Sequence, residues 1–483
     1  MPSRRWTIKS AAALGALGIF GTSALDPKWV SNAEEDESDD PQQVGPEDRP
    51  ADEGSDDPGE EPPDEEQQAD EASQEESGPT TRDVTEYGAT GDGRSNDTQA
   101  IRNALAAAES GDTIYFPPGD YLVGTVPPDG AGILPIPTDV DNLTIAGESG
   151  YETSRVVVSR ARYRAGQNFS VFRMKPANAV RGLTFRDLTL DGNRSNTDLL
   201  SSKGFYLDPD GASGGHTILV EDCWAENFNG PALLFRQGRV HLNRVTSMDN
   251  KQNFGVSERD DSTAGTDQYG IVLTDCYSEN ADWVGIDHNQ GGRVKIENLY
   301  SADNGRSGLK STKDNRRTRI ENATFHNENS YAAIRTNIST TSDLPDPPLA
   351  LSLDTVAIRE AKGGGLYISG DDSSIQNSAL LDGPVELRNC GGNNDGSHGS
   401  VTVHSAGGGN VEELRVIGTG DGPAVWFGGK FELSIGRLYH ADNDGGAYEV
   451  DDQSGELSIS EAINSDPGQL NAPTRAAVGA WSW

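Results

Sequence analysis

From about residue 180 onward, short runs of alternating apolar and polar residues recur and can be laid under one another. Phe185–Leu188, Val220–Cys223, Leu242–Val245, Leu273–Cys276, Ile296–Leu299, Ile320–Ala323 and Leu353–Val356 share a pattern of apolar ends around two polar or turn-forming positions. The third members, Asp187, Asp222, Arg244, Asp275, Asn298, Asn322 and Thr355, follow one another at 35, 22, 31, 23, 24 and 33 residues. A period of 22–24 residues is one turn of a parallel β-helix, and the longer intervals are a turn plus an inserted loop. Turns are expected next at Asn193, Asn227, Asn250, Asn280 and Asn304, because Asn tolerates left-handed backbone and bonds its own main chain. A further strand then begins at Gly204, Ala232, Gly255, Gly285, Gly308, Ala333 and Gly365.

Side chains alternate along a strand, so the second residue of each such strand should point inward. That gives a column of Phe205, Leu233, Val256, Ile286, Leu309, Ile334 and Leu366. The third and fifth residues should face outward as a polar wall: Tyr206, Ser257, Asp287, Lys310, Arg335 and Tyr367, flanked by Asp208, Arg236, Arg259, Asn289 and Asn337. Loops at about 194–203, 208–216, 258–269 and 339–348 would stand beside this wall and form a groove, with Trp283 placed to stack on a sugar ring. Beyond about residue 375 the repeat weakens, and further rungs with a C-terminal cap are expected.

Residues 84–124 carry a different pattern. Gly91-Asp92-Gly93 is a turn, Asp97 can cap a helix with apolar Ala100, Ile101, Ala104, Leu105 and Ala108, and Gly111 ends it. Thr113–Phe116 and Asp120–Val123 then read as strands. A short amphipathic helix in this place would plug the open end of a solenoid, whose first rung otherwise exposes core and backbone edges. This segment resembles the N-terminal cap of the pectate-lyase-like superfamily, which includes pectin-degrading hydrolases and lyases, alginate epimerases and viral tailspikes. The resemblance implies an all-β chain, a single-stranded right-handed parallel β-helix with an N-terminal capping helix, over residues 80–483.

Charge divides the rest. Met1 to about Leu25 has Arg4-Arg5, Lys9 and an apolar run from Ala11, which reads as a Tat-like export signal within residues 1–30, or as a membrane anchor. Residues 31–79 hold 21 acidic residues and one arginine, −20 of the formal −38, and read as a disordered acidic linker. The body keeps −21, so it is acidic in its own right and nucleic acid is not an expected partner. With 29 Arg to 10 Lys and 34% hydrophobic residues, the composition suits a surface kept hydrated in high salt. Three cysteines are an odd number and do not suggest a disulfide framework; Cys223 and Cys276 recur at matching rung positions as small core residues.

Against this acidic background, cations gathered on one wall are informative. Arg236, Arg259, Lys310 and Arg335 could neutralise a uronate carboxylate and so ease removal of the proton beside it. The superfamily resemblance likewise implies a polysaccharide bound along an outward sheet face, and the signal-like N-terminus makes the expected protein an exported one. β-Elimination is the first expectation, with Lys310 or Arg335 as base or neutraliser beside Asp287; the bland reading of Asp287 with Lys310 is a surface ion pair worth under about 1 kcal/mol. A hydrolase would need two carboxylates, for which Asp208 and Asp287 are the pair. Tyr206, Arg236, Arg259, Trp283, Asn289 and Tyr367 are the expected substrate contacts. Gly204-Phe205-Tyr206 followed by Asp208-Pro209 resembles the alginate C5-epimerase region with its tyrosine and Asp-Pro-His-Glu motif, but the His position is Asp210 and the Glu position Gly211. His288 should point into the core. Asp282, Asp287 and Asp208 could bind Ca²⁺, although no dense Asx loop supports a metal. The competing class is a non-catalytic carbohydrate-binding or cell-surface structural protein.

Overall fold

The computed structural model describes residues 78–464 apart from internal segments, of which 160–168, 208–216, 258–268 and 339–350 are the longest. The expected signal (1–30) and all but the end of the acidic linker (31–79) lie outside the described residues. The described residues fall within one compact unit, Glu75–Trp483.

Every strand pairing in the unit is parallel, and each rung contributes strands to three faces. The chain is a right-handed parallel β-helix. The first face carries Leu183–Arg186, Thr217–Glu221, Arg239–Asn243, Ile271–Thr274 and Arg293–Glu297; the second carries Thr189–Asp191, Trp224–Glu226, Thr246–Met248, Tyr277–Glu279 and Tyr300–Ala302. The third is a sheet of twelve strands from Leu134–Pro135 to Tyr448–Val450. The rungs expected beyond residue 375 are present, and the last described strand is Glu456–Asn464.

Turn chemistry explains why the first two faces meet where they do. All seven residues of the expected column, from Asp187 to Thr355, adopt left-handed backbone, with φ between 50° and 57°. Side chains in that region cost energy, least for Asn and Asp, whose short polar groups find local partners. Here those partners lie one rung away: Asn298 donates to Asp275 at 2.9 Å. Arg244, an unusual residue for this conformation, forms a two-pronged pair with Asp222 at 2.7 Å for both bonds.

The second corner departs from expectation. Asn193, Asn227 and Asn280 are left-handed as expected, but on two rungs the left-handed residue is Asp249 or Asp303. Asn250 and Asn304 come one position later and turn into the core, where both are fully buried. A buried amide must be bonded, and each is. Asn250 donates to Ala225 O, Ser247 Oγ and Asn253 Oδ1 and accepts from Phe228 N at 2.8 Å. Asn304 accepts from Ala281 N and donates to Ser301 and to Glu328, itself fully buried.

The third-face register also differs by two residues on one rung. Leu233 is followed by Phe254, and Phe254 by Ile286. Val256 instead falls in the neighbouring inward column, before His288. The small residue that opens this strand is therefore Asn253 and not Gly255. Its rung neighbour Gly285 shows how little room the corner has, since a Cβ there would stand 2.7 Å from Ser278 Oγ. Asn253 fits because its amide joins the polar ladder, donating to Ser278 Oγ at 2.9 Å and Glu279 O at 3.0 Å.

The core is a stack of these columns. Phe172, Phe205 and Phe185 pack with ring centroids 4.8–5.9 Å apart, and each such buried side chain contributes roughly 1.5–3 kcal/mol. Cys223, Cys276 and Cys390 are buried and free. At the N-terminal end the helix Thr98–Ala106 buries Ile101, Ala104 and Leu105. Asp97 precedes it but does not cap it through its side chain; its carboxylate accepts from Thr90 N–H and Oγ–H.

Candidate functional site

The outward face of the third sheet is where the expected site residues lie. Two outward columns run along it. One reads Arg173, Tyr206, Leu234, Gly255, Asp287, Lys310, Arg335 and Tyr367; the other includes Arg236 and Asn289, with Ser257 and Asn337 at matching backbone positions. Rungs are ~4.8 Å apart, so neighbours in a column touch. With the corrected register, Gly255 and not Ser257 stands before Asp287, leaving a gap in the wall. Ser257 takes the place expected for Arg259 beside Arg236. Arg259 and Asp208 lie outside the described residues, as do the loops expected at 208–216 and 339–348.

Asp287 and Lys310 are adjacent as the spacing implied, with Nζ 3.9 Å from Oδ1. Arg335 follows on the next rung and leans on two rings, 4.9 Å from Tyr331 and 5.5 Å from Tyr367. His288 is fully buried, its Nδ1 2.8 Å from Thr318 Oγ1, so it belongs to the core as expected. Asp282 is taken by Arg194 in an ion pair. Among the described residues no three His, Cys, Asp or Glu side chains converge to hold a metal. Asp282 and Asp287, each beside a cation, do not fit a Ca²⁺ site.

Near the N-terminal end of the same face stands a cluster that the sequence reading only half identified. Tyr206 is enclosed by three cations: Arg173 lies 4.5 Å, Arg236 5.5 Å and Lys203 5.7 Å from its ring centre. Burial and the nearby Arg236 and Arg173 charges push the Lys203 ammonium down to about 8, while Ser201 Oγ takes a hydrogen bond from it at 3.2 Å. Both effects disfavour the charged amine, one through desolvation and the other through like-charge repulsion.

The pairing of cations differs between faces. On the first two faces Arg155, Arg244, Lys295, Arg319, Arg415 and Arg437 are each within 4 Å of at least one carboxylate. Among the described residues, Arg173, Lys203 and Arg236 have no carboxylate at that distance, and they face aromatic rings instead. In a chain of net charge −38, cations without a described carboxylate partner gather on one wall. Arg173 and Lys203 were absent from the sequence-based set, which began each third-face strand at its small residue. Extending the stacked strands one residue earlier would have exposed Lys203.

The comparisons agree with this architecture. A family model described as rhamnogalacturonase A/epimerase, pectate lyase-like, matches residues 81–185. Over that stretch the chain is similar to the pectate-lyase-like β-helix superfamily. Mannuronan C5-epimerase AlgE6 of Azotobacter vinelandii is 39% identical over 117 residues, which is 24% of this chain and 13% of that protein. Alginate lyase 7 of the same organism is 34% identical over 127 residues, 26% of this chain and 14% of the relative. The chain thus spans only a small part of the length of these curated relatives. The solved A-module of mannuronan C-5 epimerase AlgE4 from Azotobacter vinelandii superposes with a TM-score of 0.54 at 17% identity, covering 77% of this chain and 98% of that module. That likeness is one of fold, shared across the superfamily.

Proposed function

We propose that this protein is an enzyme acting on a uronate-containing polysaccharide, and that its chemistry begins with removal of the C5 proton of a uronate at Tyr206. The observation that carries this reading is the ring of Arg173, Lys203 and Arg236 around Tyr206, with the Lys203 amine brought down to about 8. A C5 proton is weakly acidic because the carbanion it leaves is delocalised into a carboxylate that already bears charge. Arg173 and Arg236 neutralise that carboxylate and stabilise the added charge as it develops. Lys203, a large fraction of it free amine near pH 8, takes the proton. The C5–H electron pair then forms the C4–C5 double bond, the C4–O4 bond breaks, and the Tyr206 hydroxyl gives its proton to the departing oxygen.

Elimination is favoured over epimerisation by the broken motif after Tyr206. Epimerisation needs a second acid on the opposite sugar face, and the position resembling the motif's histidine is Asp210, with Gly211 next to it. The likeness to mannuronan C5-epimerases and to an alginate lyase supports a C5 proton as the target of either outcome. In this reading Asp287, Lys310 and Arg335 hold the chain instead of breaking it. The hydrolase pair of Asp208 and Asp287 is not favoured, because Asp287 stands against Lys310.

Incubating the protein with mannuronan in D₂O separates the outcomes. Absorbance from an unsaturated uronate marks elimination, and deuterium at C5 without new chain ends marks epimerisation. Binding with neither would leave the non-catalytic class and overturn the proposal. Export belongs to the same reading: with Arg4-Arg5 before the apolar run, an Arg4→Lys/Arg5→Lys variant should stay inside the cell.

A further inference from the structure

Just outside the polar wall, at the edge where the third-face strands begin, four consecutive rungs place Lys251, Trp283, Arg306 and Tyr331 in one column. Main-chain bonds fix the register: Trp283 N–H donates to Lys251 O at 3.0 Å, Arg306 N–H to Trp283 O at 2.6 Å, and Tyr331 N–H to Arg306 O at 2.8 Å. The side chains alternate cation and ring. The Trp283 indole is sandwiched by the Lys251 amine at 4.3 Å and the Arg306 guanidinium at 4.9 Å, and Arg306 also lies 5.8 Å from the Tyr331 ring. Trp283 is 42% exposed although it is flanked on both sides.

A structural purpose accounts poorly for this column. Cation–ring contacts at exposed sites contribute only about 0.5–1 kcal/mol each, and this protein has acidic residues in excess with which to pair its cations. Lys251 and Arg306 nevertheless have no carboxylate within salt-bridge distance among the described residues, unlike Lys295 and Arg319 on the first face. The rings hold the two charges upright, so an incoming anion meets cations that no described carboxylate already neutralises. With both indole faces taken by cations, Trp283 holds the charges in place and does not stack on a sugar ring as expected from the sequence.

We infer that the Lys251–Trp283–Arg306–Tyr331 column is a remote anchoring track for a polyuronate chain, occupied by sugars that do not react. It begins two rungs beyond Tyr206 and ends five rungs beyond it, about 10 to 24 Å along the axis. A short oligosaccharide seated at Tyr206 cannot reach the far half of that distance, whereas a polymer lies across all of it. The track therefore makes the protein select for long, negatively charged chains, because each additional anchored unit binds at the high effective concentration set by the units already held. The inference rests on the ligand being a polyuronate but not on turnover.

The test compares Lys251→Gln/Arg306→Gln and Trp283→Ala with the wild type, after circular dichroism has shown each to be folded. Binding of long mannuronan and of a mannuronate trimer is titrated at several salt concentrations, with neutral dextran as control. The expected result is a loss of at least tenfold in polymer affinity in the double variant, a shallower salt dependence, and less than a twofold change for the trimer. Equal losses for polymer and trimer, unchanged polymer affinity, or wild-type protein that binds dextran as well as mannuronan would each overturn the inference. Wild-type binding of mannuronan without turnover would sink the catalytic reading and leave the track standing. Turnover with an unaltered polymer affinity in the double variant would do the reverse.

Discussion

Lys203 holds its amine 5.7 Å from the centre of the Tyr206 ring, three residues along the same strand. Both share Arg173 on one adjoining rung and Arg236 on the other. Two proton-transfer groups side by side under two fixed cations is an arrangement for handling an acidic sugar, because the cations act on the sugar and on the lysine together. They attract the uronate carboxylate, and they add to burial, the larger cause, in making the amine give up its proton near pH 8.

The pH dependence of turnover follows from that coupling. Activity that requires the free amine should rise with pH through a midpoint near 8, the value to which burial and the arginines push Lys203. Removing a neighbouring positive charge eases protonation of the amine, so Arg236→Gln should move the midpoint to higher pH. Lys203→Met should remove this limb and most of the activity. A kcat/KM profile of the three proteins reads the effect, and a downward shift in the Arg236 variant would contradict the electrostatic account.

Tyr206 and Lys310 should respond differently to truncation. Loss of a general acid typically costs 10²–10⁴-fold, so Tyr206→Phe should lower kcat by at least about 100-fold at little cost in KM. Lys310 sits 3.9 Å from Asp287 on rungs that the proposed chemistry does not use. Lys310→Ala should therefore raise KM by less than about tenfold and leave kcat nearly intact. Steady-state kinetics on mannuronan decides between them: a collapse of kcat in the lysine variant would return the chemistry to Asp287 and Lys310.

Much of this molecule was legible in its sequence because the rung is written in turn chemistry. Asp187, Asp222, Asp275, Asn298 and Asn322 are residues that tolerate left-handed backbone, and their recurrence alone placed one corner correctly. The other corner misled at Asn250 and Asn304, since an asparagine can serve either as a turn or as a buried bonding group, and here Asp249 and Asp303 take the turn. Gly255 misled for a related reason. Glycine marks a corner that admits no bulk, but Asn253 meets the same requirement by bonding into the ladder. The site was legible as a wall and not as a cluster. That Lys203 is a perturbed amine depends first on its burial and then on charges from Arg236 and Arg173, which are 33 and 30 positions away and adjoin it only once the rungs have stacked.

Asn253 provides a direct check on that register. Its amide fills a corner bounded by Asn250, Ser278 and the Glu279 carbonyl. Asn253→Ala would remove one of two donors to Glu279 O, the other being Asp249 N–H, together with the bonds to Ser278 and Asn250, and each lost hydrogen bond costs about 0.5–1.5 kcal/mol. Thermal unfolding should show the destabilisation, while Ser257→Ala at the end of the same strand should change little. Equal stabilities of the two variants would argue against an inward Asn253.

Glu328 gives the fold a pH dependence of unusual sign. It is fully buried, and burial raises its carboxyl to about 8 although Asn304 and Ser301 hydrogen bonds work in the opposite direction. Its oxygens meet Ser301 Oγ at 2.9 Å, Asn304 Nδ2 at 3.2 Å and Asn304 N at 3.0 Å, with no cation among them. In the unfolded chain the same group titrates near 4.5. Below that pH it is protonated in both states and contributes no slope. Between about 4.5 and 8 the folded form binds more protons than the unfolded one, so its contribution to stability falls as pH rises, and above 8 it is level again. Gln at this position is neutral throughout and keeps an acceptor for Asn304. Glu328→Gln should therefore flatten the decline in Tm across pH 5–8 and melt above the wild type at pH 8.5. Melting curves at matched salt measure it, and parallel pH profiles for the two proteins would show that Glu328 ionises as an ordinary carboxylate.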